Sequence, residues 1–232
     1  MTEKTLPDGK RMRPIRSFVL REGRFSAAQK RALEELGPKY CLATDQQIDA
    51  RAFDRDAPLV IDIGFGNGES LLHAAPMFPE KNFLGIEVHR PGVGGLLPKL
   101  EEQGINNVRV VVADAVEVLK DNVADHSVSE VFLYFADPWP KARHHKRRIV
   151  QPPFCDLIQK KLVPGGLFHL ATDWENYAEH MVEVIEAHGG FSNDAGDEVF
   201  SPRPDWRPQT RFERRGERLG HGVWDLVLRS RG

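Results

Sequence analysis

The chain has 232 residues, of which 41% are hydrophobic and 28% charged, and its 32 basic and 34 acidic side chains give a formal net charge of −2. These proportions are ordinary for a soluble globular protein and exclude a chain that is polycationic as a whole. No apolar run reaches the roughly 18 residues that a membrane span requires, and Cys41 and Cys155 lack the spacing of metal ligands. We therefore expect a cytoplasmic protein without a membrane segment, a disulfide framework or a metal site.

The first 24 residues are rich in Lys and Arg and carry proline and glycine. This composition predicts either a solvated tail or an arm that contacts a polyanion. From Ser26 to Leu36 the pattern is helical, with Ser26 as the N-cap and Gly37 just past the end. We therefore divide the chain into a basic arm with a short helix, residues 1–36, and a single larger domain, residues 37–232.

The segment 59–68, LVIDIGFGNG, is the stretch around which we expect the larger domain to be organised. Its apolar residues have the pattern of a strand buried on both faces, interrupted by Asp62. Three alternating glycines follow before a helical pattern begins: Gly64, Gly66 and Gly68. A dinucleotide fingerprint would need a further glycine where Glu69 stands, so the pattern favours binding of S-adenosylmethionine over NAD. The alternative is a chance glycine turn in an ordinary α/β domain.

Strand and helix patterns alternate after this segment, which predicts an α/β, doubly wound, mostly parallel Rossmann-like sheet with helices on both faces. The predicted strands are 59–63, 82–89, 108–113, 129 to the break at Pro138, 167–174 and an antiparallel closing strand at 222–229. The predicted helices cover 69–78, the segment that begins at Pro152, and 174–187. Gly92, Gly94, Gly95 and Pro98 weaken the helical pattern between the second and third strands.

Five acidic residues fall at or near the carboxyl ends of the predicted strands, the edge at which open parallel sheets bind ligands. They are Asp62, Glu87, Asp114, Asp137 and Asp173. A single acid there is commonly a helix cap, and Asp114 suits that role. As ligand contacts, Glu87 would accept hydrogen bonds from ribose hydroxyls, Asp114 from an adenine amino group, and Asp62 from the cationic amino-acid end of the cofactor.

A basic cluster follows Asp137 directly, within the sequence DPWPKARHHKRR. Its members are Lys141, Arg143, His144, His145, Lys146, Arg147 and Arg148. Cations beside an active-site edge predict contacts with phosphates, although a solvated loop is the simpler alternative. The two histidines do not predict a metal site, because no carboxylate lies close to them in sequence.

A second basic segment, RPDWRPQTRFERRGERLG, lies near the C-terminus and interleaves arginines with Trp206 and Phe212. Arginines beside aromatic rings suit contact with an RNA backbone together with base stacking. Asp205, Glu213 and Glu217 could instead make it an ion-paired surface loop. We favour RNA contact.

Taken together, these motifs resemble those of the bacterial tRNA (guanine-N7)-methyltransferases. The resemblance rests on IDIGFGNG, FLGIEVHRPGVG, DAVEVL, DPWPKARHHKRRIVQPPF, LVPGGLFHLATDWENYAEHM and TRFERRG, and it covers about residues 58–228. It implies a seven-stranded methyltransferase sheet over residues 37–232 and S-adenosylmethionine as cofactor. It also implies N7 of guanine 46 in the tRNA variable loop as the methyl acceptor.

The resemblance further implies a role for each matching residue. Asp62, the three glycines, Glu87, Asp114 and Asp137 would contact the cofactor, and Asp137 would be the active-site residue. The tRNA would contact Lys141, the basic residues Arg143–Arg148, Asp173, and Thr210, Arg211, Phe212 and Glu213.

Guanine N7 carries a lone pair and no proton, so catalysis should depend on placement and electrostatics. Asp137, Asp173 or Glu213 would hydrogen-bond the guanine N1–H and amino group. Two other functions stay open, namely methylation of a different nucleic acid or a small molecule, and a noncatalytic RNA-binding module. The protein would be a monomer or a homodimer.

Overall fold

The computed structural model describes residues 17–18, 25–210, 213–214 and 222–232, so most of the predicted basic arm lies outside the described residues. The helices are α1 Ala27–Tyr40, α2 Glu69–Met77, α3 Arg90–Glu102, α4 Ala115–Asp121, α5 Pro152–Lys161 and α6 Glu175–His188. The strands are β1 Leu59–Ile63, β2 Asn82–Ile86, β3 Val108–Val111, β4 Val128–Tyr134, β5 Leu162–Thr172, β6 Phe191–Asn193 and β7 Trp224–Ser230. None of the described helices is long and apolar enough to cross a membrane.

The seven strands form one sheet in the order β3-β2-β1-β4-β5-β7-β6. Strands β1 to β5 are parallel, and β7 runs antiparallel to both β5 and β6. The strand order reverses between β1 and β4, which is the position where doubly wound sheets bind ligands. The predicted fold class is therefore confirmed, including the antiparallel closing strand. The short β6 had no sequence signal, because three residues are too few to show alternation.

The core consists of two hydrophobic clusters, and residues of β1 belong to both of them. Every residue of β1 is buried, which explains why the run reads as continuously apolar apart from Asp62. Val60 belongs to one cluster and Ile61 to the other, as expected for side chains that alternate across a strand.

Helix α1 begins as predicted, with Ser26 and Gln29 forming a reciprocal capping box. The predicted end at Leu36 is wrong, because the helix continues through Gly37 to Tyr40. Tyr40 is fully buried, and its hydroxyl donates to Glu101 of α3 at 2.8 Å. Tertiary packing therefore extends the helix past a glycine that would otherwise end it. The division of the chain at residue 37 stays a prediction.

Helix α3 forms despite its glycines because two of them allow backbones to approach closely. A Cβ at Gly92 would lie 2.2 Å from the carbonyl oxygen of Gly66, and one at Gly94 would lie 2.5 Å from that of Gln29. The glycines that weaken the helical pattern thus let α3 pack against both α1 and the loop after β1.

Candidate active site

Two adjoining cavities lie at the carboxyl edge of the sheet, on either side of a shared wall. The first cavity has a volume of about 330 Å³ and includes Glu87, Asp114 and Asp137 in its lining. The second has a volume of about 320 Å³, and its lining includes Asp62, Asp173 and Thr210. Gly64, Tyr134 and Phe135 line both cavities and form the wall. All five predicted acids therefore lie in one composite site.

The glycine loop between β1 and α2 adopts left-handed backbone at all three glycines, with φ angles of 71°, 58° and 78° at Gly64, Gly66 and Gly68. A Cβ at Gly64 or Gly66 would meet no atom of the described residues within 4 Å. These two glycines are therefore required by the backbone conformation and leave open space beside it. This arrangement is a cradle in which a ligand can lie directly against the main chain.

Asp62 is almost completely buried in β1 and faces the second cavity. Its Oδ2 accepts a hydrogen bond from the Ser70 hydroxyl, whereas its Oδ1 finds no partner among the described residues. Burial raises the pKa of Asp62 to about 7. A buried carboxylate oxygen without a donor costs free energy, so the site suits a ligand that brings a cationic N–H group.

Glu87 and Asp114 both carry structural hydrogen bonds within the first cavity. Glu87 accepts from the backbone N–H groups of Gly66, Val88 and His89 at 2.7–2.9 Å. Asp114 caps α4 by accepting from the N–H of Val116 at 2.9 Å, which is the simpler role that its sequence position suggested. Each carboxylate oxygen has two lone pairs, so these bonds leave acceptor capacity for a ligand.

The turn after β4 places Asp137 at the rim of the first cavity. Phe135 and Trp139 both have positive φ angles, 54° and 47°, which are uncommon for bulky residues. The indole N–H of Trp139 donates to the Ser17 carbonyl at 3.0 Å, and the Arg147 guanidinium lies 3.8 Å from the Trp139 ring centre. A contact from the distant Ser17 and one from the nearby Arg147 thus hold Trp139 in its unusual conformation.

The basic cluster separates into exposed and buried members. Lys141, Arg143 and Lys146 are exposed, and burial together with the neighbouring cations lowers the pKa of His144. Arg148 instead is buried, where it donates to the Pro138 carbonyl at 2.9 Å and to Asn176 Oδ1 at 2.7 Å. Arg148 therefore ties the turn after β4 to α6, a role that its place in a charge run did not indicate.

A buried arginine, Arg207, joins the second basic segment to β7 through ion pairs. Arg207 donates to Glu213 at 2.7 and 3.0 Å and to Asp225 at 2.6 and 2.7 Å. The ion-paired alternative therefore holds for Arg207 and Glu213, although Asp225 of β7 was not foreseen as a partner. The predicted substrate contacts Arg211 and Phe212 lie outside the described residues.

No group of three or more potential metal ligands is arranged for a metal ion in the part of the chain that the structure describes.

A protein-family model described as "Putative methyltransferase" matches residues 56–226. A protein of Alcanivorax borkumensis named tRNA (guanine-N(7)-)-methyltransferase is 58% identical over 96% of this chain and 94% of its own length. A protein of the same name from Aeromonas hydrophila is 55% identical over 96% and 94% of the two chains. The chain belongs to this methyltransferase family.

A solved 16S rRNA methyltransferase, KamB, covers 94% of this chain and 99% of its own with a TM-score of 0.52 at 16% identity. At that identity the likeness supports the fold alone. The family match and the close relatives make the chain an enzyme of the methyltransferase class. The composite site lies at the carboxyl edge of its sheet, the edge at which doubly wound sheets hold ligands.

Sequence reasoning missed the residues behind the second cavity of this methyltransferase. Tyr134 and His169 are joined at 2.8 Å, and His169 contacts Asp225 at 2.8 Å. The strand pattern of β5 gave His169 no functional signal, because a histidine within an apolar run is usually a core residue. The one available sign of a buried polar network was Asp225, because it is an acidic residue in an otherwise largely apolar predicted strand.

Proposed function

We propose that this protein transfers a methyl group from S-adenosylmethionine to N7 of a guanine in tRNA, by family resemblance guanine 46 of the variable loop. The observation that carries the proposal is the pair of cavities separated by Gly64, Tyr134 and Phe135. The first cavity has the hydrogen-bond acceptors that a nucleoside needs, and the second brings the carboxylates of Asp62 and Asp173 into one space. The names of the close relatives support the same reaction.

The residues around the cavities fit S-adenosylmethionine by their chemistry. The unpartnered Oδ1 of Asp62 suits the α-amino cation, and Glu87 and Asp114 suit the ribose hydroxyls and the adenine amino group. The open space beside Gly64 and Gly66 suits a ligand that lies against the loop. When bound, this cofactor supplies an electrophilic methyl group on a sulfonium sulfur.

The transfer itself requires no general base. The lone pair of guanine N7 forms the new N–C bond, and the electron pair of the broken C–S bond stays on sulfur, giving N7-methylguanosine and S-adenosylhomocysteine. The purine gains a positive charge, so carboxylates beside it lower the barrier. The work of this chain is to hold the two reactants in line and to present negative charge to the guanine.

We assign recognition of the guanine edge to Asp173 and keep Asp137 as the active-site residue between cofactor and base. Both oxygens of Glu213 are engaged by Arg207, and one of them also accepts from the N–H of Thr210 at 3.2 Å. Asp173 follows β5 directly and lines the second cavity. A carboxylate there can accept from the guanine N1–H and amino group together.

The exposed cations Lys141, Arg143 and Lys146 suit contacts with tRNA phosphates. They lie in the segment that follows Asp137, a residue that lines the first cavity. The cytoplasmic location and the monomeric or homodimeric state stay predictions.

The test is methyl transfer from labelled S-adenosylmethionine to an unmodified tRNA transcript, followed by nucleoside analysis and site mapping. We expect N7-methylguanosine at one position in the variable loop. A transcript with 7-deazaguanine is the matched control, because it has a C–H in place of N7 and should accept no methyl group. A methyl group elsewhere would overturn the substrate assignment, and binding of tRNA without transfer would favour a noncatalytic module.

A further inference from the structure

Arg207 is among the largest fully buried side chains of the described residues and carries a full charge into the core. Its four hydrogen bonds occupy two carboxylates, each in a bidentate arrangement. Replacing a buried ion cluster with apolar groups is often neutral or stabilising, so stability alone gives a weak reason for this cluster. Its location at the second cavity, which Arg207 itself lines, suggests a role in the site.

The two carboxylates belong to different parts of the structure. Asp225 lies in β7, opposite Ala171 of β5, and is therefore fixed to the sheet. Glu213 is bonded to Thr210, which lines the cavity: the Glu213 N–H donates to the Thr210 hydroxyl at 3.1 Å, and the Glu213 carboxylate accepts from the Thr210 N–H. Arg207 thus fastens the turn at Thr210 to the sheet.

The same network reaches the wall between the cavities. The Trp206 indole N–H, which can only donate, points at Nδ1 of His169 at 3.1 Å. Nδ1 is therefore an acceptor, and the proton of the neutral ring lies on Nε2, where it donates to Asp225 at 2.8 Å. The Tyr134 hydroxyl lies 2.8 Å from the same Nδ1, so it shares the single lone pair of that nitrogen with the Trp206 N–H.

Phe135, the other aromatic residue of the wall, also contacts the cluster. The Arg207 guanidinium lies 5.5 Å from the centre of its ring. Phe135 has left-handed backbone, so its conformation depends on the surrounding contacts. A continuous set of contacts therefore runs from Glu213 through Arg207, Asp225 and His169 to the wall.

We propose that Arg207 is a positioning residue for methyl transfer, which fixes the substrate-side turn at Thr210 relative to the Tyr134–Phe135 wall. This inference rests on the proposed function. Arg207 and Thr210 line the second cavity together with Tyr134 and Phe135, and in-line transfer in that cavity tolerates little displacement of the reacting groups. A shift of about 1 Å in a reacting group can cost about 100-fold in rate.

The test compares Arg207→Lys with Arg229→Lys. Lysine keeps the charge but has one nitrogen, so it cannot hold two carboxylates in bidentate pairs. Arg229 lies on the same strand as Asp225 and forms an exposed pair with Asp194 at 2.8 Å, which makes it a matched control. Glu213→Gln is the second variant, because it keeps the shape of the turn while weakening the pair.

With saturating tRNA, we expect Arg207→Lys to lower kcat about 100-fold while the Kd for S-adenosylmethionine, measured by calorimetry without tRNA, changes less than about threefold. Glu213→Gln should also lower kcat with little change in the Kd for S-adenosylmethionine, but the loss of kcat should be smaller. Arg229→Lys should match the wild type in both quantities. Thermal unfolding of each variant fixes an assay temperature at which all are folded.

A folded Arg207→Lys or Glu213→Gln enzyme with wild-type kcat would overturn the positioning role and leave a purely structural one. Equal losses in kcat and in cofactor affinity would also overturn the positioning role, since they would indicate that the whole site is destabilised. If Arg207→Lys fails to fold, Glu213→Gln decides. Absence of transfer by the wild-type enzyme would overturn the proposed function and this inference together, whereas wild-type transfer with unimpaired variants would overturn this inference alone.

Discussion

The two cavities of the site are built in different ways. The first is lined by residues at or just after the ends of neighbouring parallel strands, such as Glu87, Asp114 and Asp137, and main-chain N–H groups hold the carboxylates of the first two. The second is closed by residues 207–210, a segment that the buried Arg207 attaches to β7 through side chains alone. The main chain thus holds the carboxylates of the first cavity, whereas a buried ion cluster holds one side of the second. Substitutions around the two cavities should therefore have different effects on catalysis, cofactor binding and stability.

The largest effect that we expect at the first cavity is from Asp137→Asn. It removes negative charge beside the reacting centre, so kcat should fall about 100- to 1000-fold while the Kd for tRNA stays within about threefold. Single-turnover transfer and tRNA binding measured separately give the two values. Asp156→Asn, at an exposed carboxylate of α5 that contacts His188, is the control. Equal reductions of rate and tRNA affinity would contradict the role of Asp137.

Gly92→Ala tests how far the glycine loop, whose Gly66 N–H donates to Glu87 of the first cavity, depends on backbone packing. The new Cβ would lie 2.2 Å from the Gly66 carbonyl oxygen, so the glycine loop must move and unfolding free energy should fall by about 1–3 kcal/mol. The Kd for S-adenosylmethionine should rise as well, because the cradle is displaced. Gly95→Ala in the same helix is the matched control, since its Cβ would meet only Gln29 Nε2 at 3.8 Å. Chemical denaturation and calorimetry measure both quantities, and similar behaviour of the two variants would contradict the packing account.

The pKa of Asp62, raised to about 7 by burial, predicts a pH dependence of cofactor binding. The ionised carboxylate attracts the α-amino cation, so the Kd for S-adenosylmethionine should rise about tenfold per pH unit as pH falls below 7. Bound cofactor favours the ionised form, so the pKa of Asp62 should be lower in the complex than in the free protein.

Because the pKa of Asp62 is higher in the folded than in the unfolded state, the contribution of this acid to stability decreases as pH rises toward 7.

Calorimetry between pH 5.5 and 7.5 checks the dependence, and Asp62→Asn should flatten it. An unchanged Kd for the wild type across this range would show that Asp62 does not meet the cation.

The smallest effects are expected from the basic cluster, where exposed and buried cations should separate. Neutralising Lys141, Arg143 or Lys146 should reduce the salt slope of tRNA binding by about one for each phosphate that the variant no longer binds. Arg148→Met should instead lower the free energy of unfolding by about 1–3 kcal/mol, because methionine cannot donate hydrogen bonds to Pro138 and Asn176. Filter binding at several salt concentrations and denaturant unfolding distinguish the two. A salt slope that does not change when all three exposed cations are replaced would refute phosphate binding by this cluster.

The sequence by itself determined the sheet and the acids and glycines at its carboxyl edge. An apolar run such as 59–63 specifies a strand buried on both faces, and parallel strands bring their carboxyl ends to one edge. The acids that follow those strands therefore had to meet, whatever the details of packing. The glycines after β1 were predictable for a similar reason, because left-handed backbone restricts the choice of residue.

Only the tertiary structure decided which charged residues are buried and with whom they pair. Arg207 and Asp225 are 18 residues apart, and Arg148 and Asn176 are 28 apart, so no local periodicity links the partners. Within a run of cations, Arg148 looks like its exposed neighbours, since burial depends on which element covers the side chain. The same holds for the helix that continues to Tyr40 and for the glycines of α3, whose close contacts lie on other elements. Backbone conformation is determined locally, whereas the pairing of long side chains depends on what the fold brings beside them.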